Sequence, residues 1–201
     1  MYLKTGQLIL VLAVCSMLVS CKNEVEIIKP SPTEEQRVRQ IGKKTAGLLL
    51  KSLQNELKTT ITDDGMIAAL SVCNFKALQL TDSLKHSIEE VFELKRSSLR
   101  YRNPINTPDA IEREALISFQ KYLIKSESLP EDMIVKVIDI SGQHFRYFKP
   151  LLIKPLCLNC HGQSGNIAPE VSNHLKKLYP EDHATGYSID QLRGLISISV
   201  R

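Results

Sequence analysis

The sequence predicts an α+β protein, helices first and a small antiparallel sheet after them. Two patterns carry that prediction. Between Glu34 and Leu80 apolar residues recur at three and four positions, the period of a helix buried along one face; beyond Leu80 the recurrence moves toward two, the period of a half-buried strand. At 201 residues the chain suffices for one ordinary domain with one core. Its 43% hydrophobic and 24% charged residues rule out a largely disordered chain. The net charge of +4 is spread along the sequence with no basic block, which excludes nucleic acid as the expected partner.

The first twenty residues are of another kind. Lys4 precedes an apolar run, Leu8 to Val19, that is too short for a comfortable membrane span and ends at Cys21, so residues 1–20 read as a signal peptide. Leu18-Val19-Ser20-Cys21 resembles the lipobox of bacterial lipoproteins, with Cys21 as the lipidated residue and membrane anchor. Residues 21–33, polar and carrying Pro30 and Pro32, read as a tether, and the domain as 34–201. The expected location is extracytoplasmic and lipid-anchored, facing the periplasm or at the cell surface, with Lys22 compatible with outer-membrane sorting.

Val38, Ile41, Leu48, Leu49, Leu53 and Leu57 mark the first helix, with Thr33 and Gln36 as its expected capping box. It is expected to end near Leu57, with Thr60 to Gly65 breaking the pattern and Asp63-Asp64-Gly65 as turn chemistry. A second helix runs from Met66 to Leu80 with Ile67, Leu70, Cys73 or Asn74, and Ala77 along one face. Val91 to Arg102 reads as a half-buried strand or hairpin, with Leu99 and Tyr101 opposite Arg100 and Arg102. Asp109 starts a helix that runs to about Lys125. Met133 to Ile140 and His144 to Ile153 form a hairpin around Ser141-Gly142-Gln143, Ala168 to Leu178 is a short helix, and Arg193 to Val200 a last strand.

Directly after the hairpin comes PLCLNCHG, residues 155–162. Its Cys-x-x-Cys-His spacing suits c-type haem attachment: two thiols reach two vinyl groups of one porphyrin, and the following histidine turns under the ring to the iron. A redox dithiol is expected earlier in a domain, at the start of a helix after a strand. A zinc site needs a second ligand pair, which the sequence does not offer. Cys157 and Cys160 are therefore the expected thioether sites of one covalent haem c and His161 its proximal ligand; a non-haem zinc or dithiol protein is the alternative. Cys15 lies within the signal peptide, and Cys73 is left over, either a small inert core residue or a thiol with a task.

Four stretches, AALSVCNFKA (68–77), SLRYRNPINTPDAIE (98–112), YFKPLLIKPLCLNCHG (147–162) and GYSIDQLRGLISISV (186–200), together resemble the single-haem c-type proteins of PAS-like fold, once filed as a domain of unknown function. The resemblance implies a PAS-like sheet and iron bound by the motif histidine and a distal cysteine, here Cys73. His86, His144, His174 and His183 are the other candidates for the sixth position. Arg100 and Arg102 are candidate propionate contacts, because a planar guanidinium suits a carboxylate. The function implied is electron transfer with a redox partner protein, or sensing of redox state or of a small gas. Peroxidase activity ranks last, since a bound Cys73 closes the position that catalysis needs open, and an electron carrier or sensor is expected ahead of an enzyme.

Overall fold

Ser31 opens the first helix. Its hydroxyl accepts from Glu34 N–H at 3.4 Å while Glu34 Oε2 accepts from Ser31 N–H at 2.8 Å, and Pro32 follows as first helical residue. The capping box thus lies two residues earlier than the expected Thr33 and Gln36. The computed structural model describes residues 25–201, with the backbone alone at Cys73 and Asn74. The signal peptide and Cys21 lie outside the described residues. Among the described residues no helix is long and apolar enough to cross a membrane.

In chain order the elements are β1 (Glu26–Ile28), α1 (Pro32–Ser71), a π-helical turn (Val72–Lys76), α2 (Ala77–His86), β2 (Val91–Ser97), α3 (Ala110–Ile124), β3 (Met133–Asp139), β4 (Gly142–Leu152), α4 (Leu158–His161), α5 (Pro169–Leu178) and β5 (Leu192–Val200). The strands form one antiparallel sheet in the order β1-β3-β4-β5-β2, the α+β, PAS-like arrangement expected. β1 falls inside the stretch expected to be a tether. Glu26 to Ile28 pair with Ile138 to Lys136 and extend the sheet at its edge, so the ordered fold starts earlier than residue 34. The strand expected over 91–102 ends at Ser97. Beyond it the chain bends, held by Ser98 N–H donating to Asn106 O at 3.1 Å, so the alternation of Leu99 to Arg102 is not that of a strand.

α1 is two helices in line. Gly65, at φ 87°, interrupts it with a conformation that favours glycine. The chain doubles back there: Lys76 Nζ lies 3.8 Å from Glu56 Oε1, and Leu84 of α2 shares an apolar cluster with Leu50 and Leu53. The break expected at Asp63-Asp64-Gly65 is therefore the tip of a helical hairpin.

The hairpin covers one face of the sheet, where Val38 and Leu49 pack on Leu94, Tyr147, Ile196 and Ile198. α3 covers the other, where Leu116 and Phe119 meet Phe148 and Leu195. Alternation along β4 divides its side chains between the two layers, Tyr147 to the hairpin and Phe148 to α3, each fully buried. Burying a side chain of this size stabilises by about 1.5–3 kcal/mol. Beside Phe148, Arg146 is buried with Glu112 of α3 at 2.9 Å, Asp109 at 2.6 Å and Ser197 at 2.8 Å.

Gly42 of α1 lies against the Tyr147 ring, where an added Cβ would come within 2.3 Å of a ring carbon. Gly42→Ala should therefore destabilise the protein by about 1–3 kcal/mol through overpacking, read as a lower midpoint in urea; an unchanged midpoint would contradict this packing. Glu34 is held below its ordinary value of 4.5, at about 2, chiefly by its hydrogen bond to Lys136 and then by the capping box. A depressed carboxylate favours the folded state above pH 4.5 and loses that contribution as pH falls toward 2. Glu34→Gln should remove this part of the acid dependence and flatten the decline of Tm across that window.

Candidate haem site

β4 delivers the motif to one end of the sheet. Pro155–Cys157 is a single 3-10 turn, α4 adds one turn more, and Gly162 stops it by donating its N–H to Leu158 O at 2.9 Å. A Cβ at Gly162 would sit 2.6 Å from that same oxygen, so the tight stop requires glycine. Cys157 packs against Ile153, Ala184 and Tyr187, and Cys160 against Leu70, Ile167 and Val171. The two cysteines thus touch separate apolar clusters.

The loop after α5 straps across the motif. Gly186 N–H donates to Gly162 O at 2.7 Å and Tyr187 N–H to His161 O at 2.9 Å, with Gly186 at φ 75° making the turn between them. Arg102 is buried beneath the strap. Its Nε bonds Asp182 Oδ2 at 3.0 Å, and its Nη2 bonds Cys160 O at 2.5 Å and Ala184 O at 3.4 Å. Arg100 donates to the carbonyls of His183 and Thr185 and stacks over Tyr187, 4.2 Å from the ring centre. Both arginines proposed from sequence thus serve the strap in this structure, joining the bend at 98–102, the motif and the loop at 182–187.

The strap fixes His161. Its Nδ1 lies 2.6 Å from Ala184 O; a carbonyl only accepts, so Nδ1 carries the proton and Nε2 keeps its lone pair for a ligand bond. Burial, then the positive charges of Arg193 and Arg102, hold the imidazole well below its usual pKa, so at neutral pH it is the uncharged, metal-binding form. His161 borders a cavity of about 150 Å³ whose other walls include Arg96, Leu151, Arg193 and Gly194. Arg96 and Asn106 also line a groove of about 500 Å³ between α2 and β2, so the two spaces are neighbours.

Cys73 lies in the π-helical turn of that returning helix. Leu70, three residues earlier, shares a cluster with Cys160, which brings this part of the helix to the motif. The four alternative ligands lie elsewhere. His86 and His174 bond the carbonyls of Asp82 and Glu170 on their own helices, His144 packs edge-on against Phe92, and His183 against Tyr101; none borders the cavity beside His161. Among the described residues no three His, Cys, Asp or Glu side chains gather as a metal-binding cluster, so the zinc alternative finds no ligand set there. Sequence reasoning missed Arg96, Arg193, Asp182 and Ala184. The first two stand in or next to strands as ordinary charges, and a backbone acceptor has no residue signature.

The PAS-like sheet and the strapped Cys-x-x-Cys-His turn define a class, α+β proteins built around this motif. The chain belongs to the Tll0287-like family, whose model matches residues 27–201. Its fold is similar to that in the crystal structure of the cyanobacterial heme-protein Tll0287, with a TM-score of 0.56 and 20% identity over 85% of this chain and 96% of that one. No curated protein matches the chain.

Arg102 and Asp182 are both largely buried. Asp182→Asn leaves the guanidinium without its counter-charge, and the cost should be about 3–5 kcal/mol, measured by urea unfolding. A loss below 1 kcal/mol would mean that the strap is not held by this pair.

Proposed function

We propose that this protein binds one covalent haem c and acts in electron transfer, or as a sensor of redox state or of a small gas, at a membrane surface outside the cytoplasm. Cys157 and Cys160 form the thioethers, His161 Nε2 is the proximal ligand and Cys73 the distal one. The observation that carries this reading is the bond from His161 to Ala184 O, which leaves Nε2 as the free ring nitrogen of a motif histidine at the edge of a cavity. The donor set fits the group: two thiols and an imidazole on two successive turns, with apolar clusters beside both sulfurs. Membership of a family with a heme-protein structural relative adds to the support.

When bound, the group supplies a one-electron couple at iron. The protein's own part is to hold an uncharged imidazole in one orientation. The Ala184 carbonyl draws on the Nδ1 proton and makes Nε2 more electron-rich, the outer-shell effect known for metal-bound histidines. A Cys73 thiolate opposite would favour ferric over ferrous iron and lower the potential. Because a thiolate favours ferric iron and must stay deprotonated to bind, reduction or acidification would weaken its hold and would leave a position for CO or NO. Anchoring through a lipid on Cys21 would keep the domain at the membrane surface, near a redox partner protein.

Produced in cells that attach haem c, the chain should keep its haem through denaturation, and joint Cys157→Ala and Cys160→Ala should abolish this. Cys73→Ala should leave the haem attached but change the low-spin ferric spectrum. Haem extracted freely from the unsubstituted chain would refute covalent attachment, and an unaltered spectrum in Cys73→Ala would remove Cys73 from the iron.

A further inference from the structure

The cavity beside His161 has two arginines in its lining. Besides His161 it is lined by Arg96 and Arg193 together with serine and asparagine residues, and none of the described residues lining it is acidic. The two arginines come from neighbouring strands at one end of the sheet, Arg96 on β2 opposite Ile196 and Arg193 at the start of β5. Arg193 is held in place by its Nη1, which donates to Ser98 Oγ at 2.8 Å and to Arg100 O at 3.1 Å. Its surroundings do not favour its charge: burial lowers its affinity for the proton, and Arg102 and Arg96 add repulsion that Asp182 and Tyr187 counter.

Buried or half-buried guanidinium groups on one wall invite an anionic partner, and planar forks suit carboxylates above other anions. The geometry points to Arg96 and Arg193 as the site that takes the two carboxylates of the porphyrin, beside the histidine that takes its iron. This assignment rests on the haem reading given above and adds residues to it. It also moves the propionate role expected of Arg100 and Arg102 to a different pair. Arg100 and Arg102 hold the strap by donating to backbone carbonyls, whereas Arg96 and Arg193 border the space next to the imidazole. Two fixed carboxylates would set the rotation of the ring about the His161 bond, and so present the correct edges to Cys157 and Cys160.

The test uses the full chain made without haem, thiols kept reduced, titrated with haemin and with haemin dimethyl ester, which has the same iron and vinyl groups but no carboxylates. Binding is followed by the shift of the main haem absorption band. Haemin should bind the unsubstituted chain roughly 10- to 100-fold more tightly than the ester, as expected for charge-assisted hydrogen bonds. Arg96→Gln and Arg193→Gln should each shrink that ratio, and Arg193→Lys should restore part of it. Equal affinities for haemin and ester in the unsubstituted chain would overturn the assignment while leaving the haem reading intact, and this arm needs no arginine variant to fold. Failure of both porphyrins to bind would overturn the two together.

Discussion

One backbone carbonyl, that of Ala184, decides what His161 can do. A free imidazole exchanges its proton between two nitrogens and turns about its side-chain bonds; a carbonyl at 2.6 Å from Nδ1 selects one tautomer and one ring direction. The bond itself contributes about 0.5–1.5 kcal/mol, so its value is directional more than energetic. It works only if the carbonyl is itself immobile. Two backbone bonds from Gly186 and Tyr187 to the motif, Ala184 N–H to Asp182 Oδ1 at 2.7 Å, and the Arg102 guanidinium below provide that rigidity. The strap and the motif therefore form one mechanical unit, and the ligand histidine is oriented from outside its own turn.

The same dependence on buried charge recurs on the opposite face of the sheet, for another purpose. Arg146 of β4 reaches Glu112 and Asp109 at the start of α3 and Ser197 of β5, while Ser97 and Lys95 of β2 complete the set around Glu112. Three strands and one helix meet in this cluster. A register slip of one residue would move Arg146 to the hairpin side, among Tyr147 and Ile198, where its charge would meet an apolar layer. Such a cluster adds little net stability over an apolar core of equal volume. Its use is to make the wrong register costly, and that register places Leu152, and with it the motif, at the correct end of β4.

Where local chemistry decides the structure, the sequence could be read. Asp109 caps α3 through a reciprocal bond with Glu112, the β3-β4 hairpin turns at Ile140-Ser141 next to Gly142, and the two residues between Cys157 and Cys160 allow the helical turn that is found there. Where long-range contacts decide, reading failed. Leu99 to Arg102 alternate like a strand, but the ladder ends at Ser97 although β5 continues to Leu192, because Ser98 N–H turns to Asn106 O and the chain bends away. Glu26–Ile28 is too short to show a period and exists as a strand because β3 offers an unpaired edge. Ser31-Pro32 with Glu34 carried a stronger helix-start signal than Thr33 with Gln36, since a proline fits the first helical position. Arg96 and Arg193 look like any strand charges until the sheet turns them toward His161.

The helical hairpin shows how a residue far away in sequence is brought to the motif. A straight helix from Pro32 would carry residue 73 some 60 Å from its start, at about 1.5 Å per residue. Gly65 reverses the path after the helix has crossed the sheet, and Leu70 then reaches the cluster that contains Cys160. Immediately afterward the helix loosens into the π-helical turn Val72–Lys76, while Leu70 before it and Ala77 after it are both buried. A π turn fits extra backbone between two anchored points, and such turns concentrate at functional sites. Both ends are fixed by packing, so the loosened turn is retained against the regular α-helix that the same residues would otherwise adopt. It is the turn that carries Cys73, and a regular helix in its place would have to shift one of its two buried anchors.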